Sequence, residues 1–284
     1  IGEGEAMFEE LYEPLPDRGL YFKKIGLDEP ADDEPRDKAL IDRIVYAHQI
    51  AIPFENLDIF DRKINVPIGI SAIFDKVIRG RRGGYCFELN ALLHALLEEL
   101  GYDVTPCVGR SLKDRGYVYP FTHRAIVVEV DGQRLFCDVG YGGPIPPCAI
   151  PLVDGHEVSA CGQAFRIERG EGNWWKLFYL GSSDALAAAR AAGEPDPEAV
   201  PVTAFLDEPM QLTDYAVLSH FCATSPLSMF TQQRMVNRRT VDGNVSITGD
   251  EFTRVTLEGK EIVRITSESQ FQQLLRDEFG IVME

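Results

Sequence analysis

The most informative stretch of the sequence is RGGYCFELN, at residues 82–90, where two glycines lead into an apolar run. Leucine recurs at helical spacing from residue 89 to residue 100, and Gly101 follows as a helix stop. Cys86 is therefore predicted to lie in the first turn of a helix. Because the first N–H groups of a helix are unpaired and its dipole is positive there, this position favours a thiolate over a thiol. Most isolated cysteines of this kind only fill space, so a predicted nucleophile needs a partner.

A second segment supplies a candidate partner. Residues 123–140 contain two β-branched runs joined by an Asp-Gly pair, which is the preferred two-residue hairpin turn. The register set by this turn pairs Glu129 with Arg134. It also makes His123 and Asp138 diagonal neighbours on one face, about 7 Å apart between backbones. An Asp that orients a His is half of a nucleophilic triad, although an ordinary buried hydrogen bond would look the same in sequence.

Four short motifs, in their order and spacing, resemble the signature of the arylamine N-acetyltransferases. The likeness covers most of the chain, from YFKKIG at 21–26 to SPLSMF at 225–230, where it is less sharp. The four motifs are PFENL (53–57), RGGYCFE (82–88), THR (122–124) and DVGYGG (138–143).

The resemblance implies that Cys86, His123 and Asp138 are the catalytic triad. It also implies that Arg82 and Glu55 form a supporting ion pair behind the helix of the nucleophile. In the family's ping-pong reaction, the cysteine thiolate takes an acetyl group from acetyl-coenzyme A and passes it to the nitrogen of an arylamine or arylhydrazine. Acetyl-coenzyme A is thus expected as the acyl-donor substrate, and no metal is expected.

Three aromatic residues are expected to line the substrate site. The resemblance places Phe54 and Phe230 in the acceptor pocket, and Tyr141 is a plausible further wall. A largely dry, apolar pocket would let an amine compete with water for the acyl group. Each of the three residues also suits an apolar core, Phe230 most of all.

The predicted fold class is α+β. Helical apolar patterns indicate a helical bundle at 7–101 that carries the nucleophile, and β-branched and aromatic runs indicate a β-barrel at 102–182 that carries the His and the Asp. An alanine-rich run predicts a linker helix region at 183–204, and an α/β lid follows at 205–284. This order resembles the family's bundle, barrel and lid around a cysteine-protease-like core.

Composition restricts the partners. The formal net charge of −17 argues against nucleic acid, and no apolar run is long enough to span a bilayer, so neither nucleic acid nor membrane is expected as a partner. Coenzyme A is anionic, but a local basic site is enough to bind it. For each candidate group of basic residues, an ordinary charged surface is the simpler interpretation. The candidates are Arg238 with Arg239, or Arg110 with Lys113 and Arg115.

Six cysteines occur without metal-ligand spacing, and no secretory leader is evident. These features predict a cytoplasmic protein without disulfides.

Other interpretations stay open. A cysteine hydrolase of the papain-like or transglutaminase-like kind would use the same three groups, with water in place of the amine. The motifs of this chain, however, do not resemble protease signatures. A macrolactam-forming amide synthase would act on a carrier-bound polyketide and would need a protein-docking surface. A binding module without activity is hard to reconcile with an intact triad.

Overall fold

The computed structural model describes residues 8–113, 118–256 and 259–283 of the chain. Within them, a largely helical first part leads into a curved eight-stranded sheet, and a five-stranded sheet follows with a final helix beside it. The fold class is α+β, as the sequence predicts. No helix in these three ranges is long and apolar enough to cross a bilayer.

Four of the described α-helices begin at an Asp or Ser whose side chain accepts a hydrogen bond from a backbone N–H in the first turn. These caps are Asp17, Asp37, Ser182 and Ser267. The α-helices of the described residues are α1 (Arg18–Ile25), α2 (Lys38–Ala51), α3 (Leu57–Phe60), α4 (Ile70–Phe74), α5 (Cys86–Glu99), α6 (Ser183–Ala192), α7 (Asp214–Thr224) and α8 (Glu268–Phe279).

Helix α5 begins at Cys86, so this residue lies in the first turn of the helix, as predicted from the sequence. The leucines at positions 89, 92, 93, 96 and 97 are fully buried, and burial of each contributes about 2 kcal/mol to stability. The helix that carries the thiol is therefore firmly anchored in the core of the first part of the chain.

The strands form two antiparallel sheets. In chain order the strands of the described residues are β1 (Phe54–Glu55), β2 (Asp103–Ser111), β3 (His123–Val130), β4 (Gln133–Cys137), β5 (Ile150–Pro151), β6 (Glu157–Ala160), β7 (Gln163–Arg169), β8 (Trp174–Ser182), β9 (Val200–Leu206), β10 (Met235–Thr240), β11 (Gly243–Thr248), β12 (Glu251–Thr256) and β13 (Gly259–Arg264). The larger sheet has the order β5-β4-β3-β2-β9-β8-β7-β6, and the smaller has the order β1-β10-β11-β12-β13.

The larger sheet curls into a barrel-like form. Phe136 of β4 stacks on Phe205 of β9 with ring centroids 4.3 Å apart, although β3 and β2 lie between these two strands in the sheet. Apolar side chains of β2, β3, β5, β7 and β8 join the same buried cluster. Side chains from strands far apart in the sheet can meet in this way only when the sheet is strongly curved.

The hairpin β3–β4 has the register that its Asp-Gly turn predicts. Glu129 pairs with Arg134, and the turn residues Asp131 and Gly132 have φ of 52° and 73°. These positive values are those of a two-residue hairpin turn of the primed type. The Glu129–Arg134 ion pair is long, at 3.8 Å, because the guanidinium also contacts Asp207.

Strand β9 crosses the predicted boundary between the linker and the lid at 204/205. It lies between β2 and β8, so the large sheet extends beyond residue 182. The division of the chain into four regions stays a prediction.

The PFENL and RGGYC segments pack directly against each other. Glu55 N donates to Gly84 O at 2.8 Å, and Gly84 N donates to Pro53 O at 3.3 Å. A Cβ atom on Gly83 would lie 2.0 Å from Pro53 O, so only glycine fits there. Because β1 also pairs with β10, the loop before the thiol is held to the C-terminal sheet.

Candidate active site

The Cys86 thiol lies at the junction of the helical part and the large sheet. The residue is 1% exposed, and its Sγ lies 3.6 Å from Thr122 O, the carbonyl just before β3. The Glu88 carboxylate accepts from Tyr85 N at 3.0 Å and so caps the helix one residue before the thiol. The sulfur is thus fixed beside the strand that carries His123.

His123 stands between this sulfur and a carboxylate. Its Nε2 lies 2.6 Å from Asp138 Oδ2, and both residues are buried. Burial of the ring opposes its protonation. The Asp138 carboxylate and a hydrogen bond with Cys86 outweigh burial, and they raise the pKa of His123 to about 10. Since Nε2 faces Asp138, Nδ1 is the ring nitrogen left for the sulfur, and the raised pKa favours the imidazolium form of His123.

Asn90 holds the carboxylate and the strands together. Its Nδ2 donates to Asp138 Oδ1 at 2.9 Å and to Arg124 O at 2.6 Å, while its Oδ1 accepts from Val139 N at 2.9 Å. Gly140 N donates to the same Asp138 oxygen at 2.8 Å. Asn90 is not among the residues predicted from the sequence, although its position four residues after Cys86 places it on the same helix face.

Gln49 supports Asp138 from helix α2. Its Nε2 donates to Asp138 O at 3.0 Å and to Pro146 O at 2.9 Å. This side chain was also missed, because nothing in its sequence neighbourhood indicates that it reaches a loop almost a hundred residues later.

A buried charge cluster lies behind the start of α5. Arg82 Nε donates to Glu55 Oε1 at 2.9 Å, and Arg82 Nη2 donates to Asp58 Oδ1 at 2.9 Å. The structure therefore brings Arg82 and Glu55 together as expected. It adds Lys76, whose Nζ lies 2.8 Å from both Asp58 Oδ2 and Glu88 Oε1.

The cluster fixes Glu88, the residue that caps α5. Burial raises the pKa of Glu88 to about 7, against the opposing effect of Lys76. Burial disfavours the charge of Lys76, but the three neighbouring carboxylates outweigh it and raise the pKa of the ammonium group. Two cations therefore hold three carboxylates against the loop that presents the sulfur.

One small cavity brings the predicted aromatic residues to the thiol. Its volume is about 40 Å³, and Cys86, His123, Phe54, Tyr141 and Phe230 all line it. The ring of Tyr141 meets the His123 ring edge-on at 5.3 Å, and Phe54 lies 6.2 Å from Phe230 between ring centroids. All three aromatic residues thus serve as walls beside the sulfur and also pack into the core.

A larger apolar cavity of about 320 Å³ adjoins this small one. Thr122, Met229 and Phe230 line both, and Tyr119 and Phe221 extend the larger one outward. A flat apolar molecule can lie there with one end near the thiol.

The basic residues considered for coenzyme A have different surroundings. Arg110 lies over the rings of Phe121 and Trp174, at 4.3 and 4.9 Å from the centroids. Lys113 lines the cavity of the thiol. Arg115 lies outside the described residues.

The six cysteines are free thiols. Over the described ranges, no group of three or more His, Cys, Asp and Glu side chains could hold a metal ion.

A thiol and an imidazole that share a cavity, with a buried carboxylate hydrogen-bonded to the imidazole, are the groups that cysteine-dependent acyl-transfer enzymes use. The profile of the N-acetyltransferase family matches residues 39–284. The chain is also 32% identical to the arylamine N-acetyltransferase of Mycolicibacterium smegmatis, over 93% of this chain and 92% of the relative. The chain therefore belongs to the arylamine N-acetyltransferase family, and the family predicted from the four motifs is confirmed.

Solved structures agree with this assignment. The arylamine N-acetyltransferase of Mycobacterium abscessus superposes with a TM-score of 0.83 at 28% identity, covering 100% of this chain and 95% of that one. The Mycobacterium marinum enzyme in complex with CoA superposes with a TM-score of 0.80 at 26% identity, covering 93% of both chains. The overall fold is thus that of known acetyltransferases.

Proposed function

We propose that this protein transfers an acetyl group from acetyl-coenzyme A to the nitrogen of arylamines and arylhydrazines, through an acetyl-Cys86 intermediate. The proposal rests above all on the placement of His123, which lies between Asp138 and the Cys86 sulfur in a cavity with aromatic walls. Cys86 is the nucleophile, His123 is the acid and base, and Asp138 orients the imidazole.

In the first half-reaction the Cys86 thiolate attacks the thioester carbon of acetyl-coenzyme A. A bond forms between sulfur and the acetyl carbon, and the bond from that carbon to the coenzyme sulfur breaks. The coenzyme leaves as a thiol with the proton of His123. Exchange of one thioester for another is nearly balanced in free energy. The first half-reaction is therefore reversible, and it forms an acetyl enzyme with which an amine then reacts.

In the second half-reaction the amine nitrogen attacks the acetyl carbon. The amide bond forms, the bond to Cys86 breaks, and the amine proton passes to His123. The imidazolium–thiolate pair is restored. Because the amide is far more stable than a thioester, this step drives the reaction forward.

The substrates are placed by the cavity walls. Phe54, Tyr141 and Phe230 provide apolar surface beside the sulfur, which favours an aromatic amine and limits attack by water. The Mycobacterium marinum relative in complex with CoA supports coenzyme A as the carrier of the acyl group. Arg82 and Glu55 act as structural support for the loop before the thiol.

The test is intact-protein mass spectrometry after incubation with acetyl-coenzyme A and no amine. We expect one acetyl group on Cys86, which disappears when an arylamine is added and yields the arylamide. Cys161→Ala is the matched control, because Cys161 is an exposed thiol that non-enzymatic acetylation would reach first.

An adduct that persists in Cys86→Ala, or one lost in Cys161→Ala, would contradict the proposed nucleophile. Loss of the acetyl group to water as fast as to arylamine would instead favour the hydrolase interpretation.

A further inference from the structure

Arg124 follows His123 on strand β3, and its side chain lies on the opposite face of the strand. Successive side chains of a strand point to opposite faces. His123 therefore lines the cavity of the thiol, while Arg124 Nη2 donates to His94 Nδ1 of helix α5 at 3.0 Å. Arg124 is 4% exposed, and its guanidinium lies over the Tyr215 ring, 4.5 Å from the centroid. The reaction steps given above assign no role to this buried cation.

His94 holds the guanidinium as a neutral ring. A guanidinium can only donate hydrogen bonds, so His94 Nδ1 is the acceptor and the ring proton lies on Nε2. Burial lowers the pKa of His94, which agrees with a neutral imidazole. His94 Nε2 faces Glu98 Oε1 at 3.2 Å. The direct partner of Arg124 thus carries no charge.

The charge of Arg124 lacks a direct counter-ion within the described residues. No Asp or Glu of the described ranges forms an ion pair with it, and its Nε is buried without an acceptor. Burial lowers the pKa of Arg124, but a guanidinium remains protonated inside proteins. Because a buried charge is costly without an opposite charge nearby, we expect a negative group in the same part of the core.

The thiolate of Cys86 can supply this negative charge. The groups whose charge opposes the effect of burial on Arg124 are Tyr215, Cys86 and Glu98. Tyr215 stays protonated, because burial raises the pKa of its phenol and the O–H donates to Cys107 O at 2.9 Å. Glu98 is 58% exposed, so water screens its charge. Among these groups, the thiolate is the charge that is buried together with the guanidinium.

The side chain of Arg124 lies near the turn that presents the sulfur. The Tyr215 ring under the guanidinium meets the ring of Phe87 at 5.8 Å, and Phe87 follows Cys86 in the first turn of α5. Asn90, one turn further along α5, donates to Arg124 O at 2.6 Å. The backbone and the side chain of Arg124 are thus both fixed against the helix of the thiol.

We propose that Arg124 is a second cation that stabilises the thiolate of Cys86, in addition to the His123 imidazolium. The inference rests on the proposed function and adds a positioning residue to it. The buried charges then balance in two pairs, His123 with Asp138 and Arg124 with Cys86. Inside a protein the dielectric constant is low, so such an attraction acts beyond contact distance. Arg124 supports the charge of the nucleophile and takes no part in bond formation.

Other titratable groups face the thiol from the surrounding elements. Apart from the imidazolium and Tyr215, they are three groups whose pKa burial raises and one lysine that lines the cavity: Tyr85, Tyr141, Cys222 and Lys113. Substitutions at position 124 leave all of these groups in place. A changed reactivity of Cys86 in such variants therefore reports on Arg124.

The pH profile of Cys86 alkylation by iodoacetamide tests this inference. The reagent is neutral and reacts with the thiolate, so its rate follows ionisation of the sulfur without any substrate. Peptide mass spectrometry distinguishes Cys86 from the other free thiols. Arg124→Gln and Arg124→Met remove the charge, and Arg124→Lys keeps it. Met is included because an apolar side chain of similar volume often replaces a buried ion without loss of stability.

Arg169→Gln is the matched control. Arg169 is exposed and lies over the Trp175 ring, 5.9 Å from the centroid, so this variant also removes a cation stacked on an aromatic ring. Arg169 lines neither of the two cavities beside the thiol.

A nearby opposite charge shifts the titration of an ionisable group by about 1–3 pH units. Because Arg124 bonds His94 and not the sulfur, we expect the lower end of this range. The midpoint of the alkylation profile should rise by about one pH unit in Arg124→Gln and Arg124→Met, which is about tenfold slower alkylation on the acidic side. Arg124→Lys should recover most of the shift, and Arg169→Gln should keep the wild-type midpoint.

An unchanged midpoint in both charge-free variants, or an equal shift in Arg124→Lys or Arg169→Gln, would overturn the inference. Urea unfolding accompanies each variant, since lower stability without a shifted midpoint would assign Arg124 to packing alone. If no donor acetylates Cys86 in the wild type, the proposed function fails. A missing shift beside normal acetylation removes only the role of Arg124.

Discussion

Replacement of Asp138 by Asn tests the proposed chemistry most directly, because the structure indicates how the new amide would be oriented. In the wild type, Asp138 Oδ1 accepts from Asn90 Nδ2 and Gly140 N, while Oδ2 faces His123. The amide oxygen of Asn must take the place of Oδ1, since two N–H donors point at it. The amide NH₂ then donates to His123 Nε2, so the ring proton moves to Nδ1. An imidazole with its proton on Nδ1 cannot accept the proton of Cys86.

The magnitude follows from the charge that is removed. The pKa of His123 lies at about 10 instead of 6.5, which corresponds to about 5 kcal/mol in favour of the imidazolium. Without the carboxylate, burial dominates and the ring is neutral at pH 7. We expect acetylation of Cys86 to slow by about 10⁴-fold, the size of effect seen for Asp-to-Asn replacement in a serine triad. The hydrogen bonds of the site remain, so the variant should fold.

The same shift sets a pH dependence of stability. A folded pKa above the unfolded value of 6.5 stabilises the fold fully below pH 6.5, and this contribution is lost as the pH rises to about 10. Asp138→Asn should lack this part of the pH dependence.

Single-turnover acetylation and the rate of Cys86 alkylation by iodoacetamide measure the effect at several pH values. Asp154→Asn is the control, since Asp154 is an exposed carboxylate that binds Arg169 N in a turn of the barrel. Acetylation of Asp138→Asn within tenfold of the wild-type rate, with the same pH dependence of alkylation, would refute the argument.

Three further predictions concern neighbouring groups. Asn90→Ala removes hydrogen bonds from a buried carboxylate and two backbone groups, so the free energy of unfolding should fall by about 3 kcal/mol or more. Acetylation of Cys86, measured by stopped flow, should slow as well. An unchanged acetylation rate in a less stable variant would show that Asn90 only packs in the core. Lys76→Met leaves three buried carboxylates with one cation and should cost about 3–5 kcal/mol in urea unfolding. The control Lys38→Met breaks a half-exposed pair and should cost less than about 1 kcal/mol, and equal costs would contradict the argument. Phe230→Ala should change the preference among amines more than the acetylation of Cys86, and equal losses in both half-reactions would assign this ring to packing alone.

Local sequence signals predicted a substantial part of the fold and the site. The leucine spacing predicted helix α5, because burial of one helix face leaves a clear period, and the two glycines before it placed Cys86 in the first turn. The Asp-Gly turn placed His123 and Asp138 on neighbouring strand ends, because a two-residue turn permits one register. Both signals depend on residues close together in the chain.

Contacts between segments that are distant in the sequence were harder to predict. Lys76 reaches Glu88 from a π-helical stretch, Asp75–Arg79, whose wider turn changes the direction in which its side chains point. A regular helical pattern through the same residues gives no sign of this. Gln49 and Asp138 O meet only because α2 packs beside the loop after β4.

The pairing of β1 with β10 has a consequence for the order of events during synthesis. Phe54 pairs with Asn237, and Asn56 Nδ2 bonds Phe230 O and Gln233 O, each at 2.8 Å. The loop that presents the sulfur thus acquires its final neighbours only after the last third of the chain has emerged from the ribosome. A nascent chain that ends before β10 would contain the thiol, the imidazole and the carboxylate. It would lack the contacts that hold the loop before Cys86 in place.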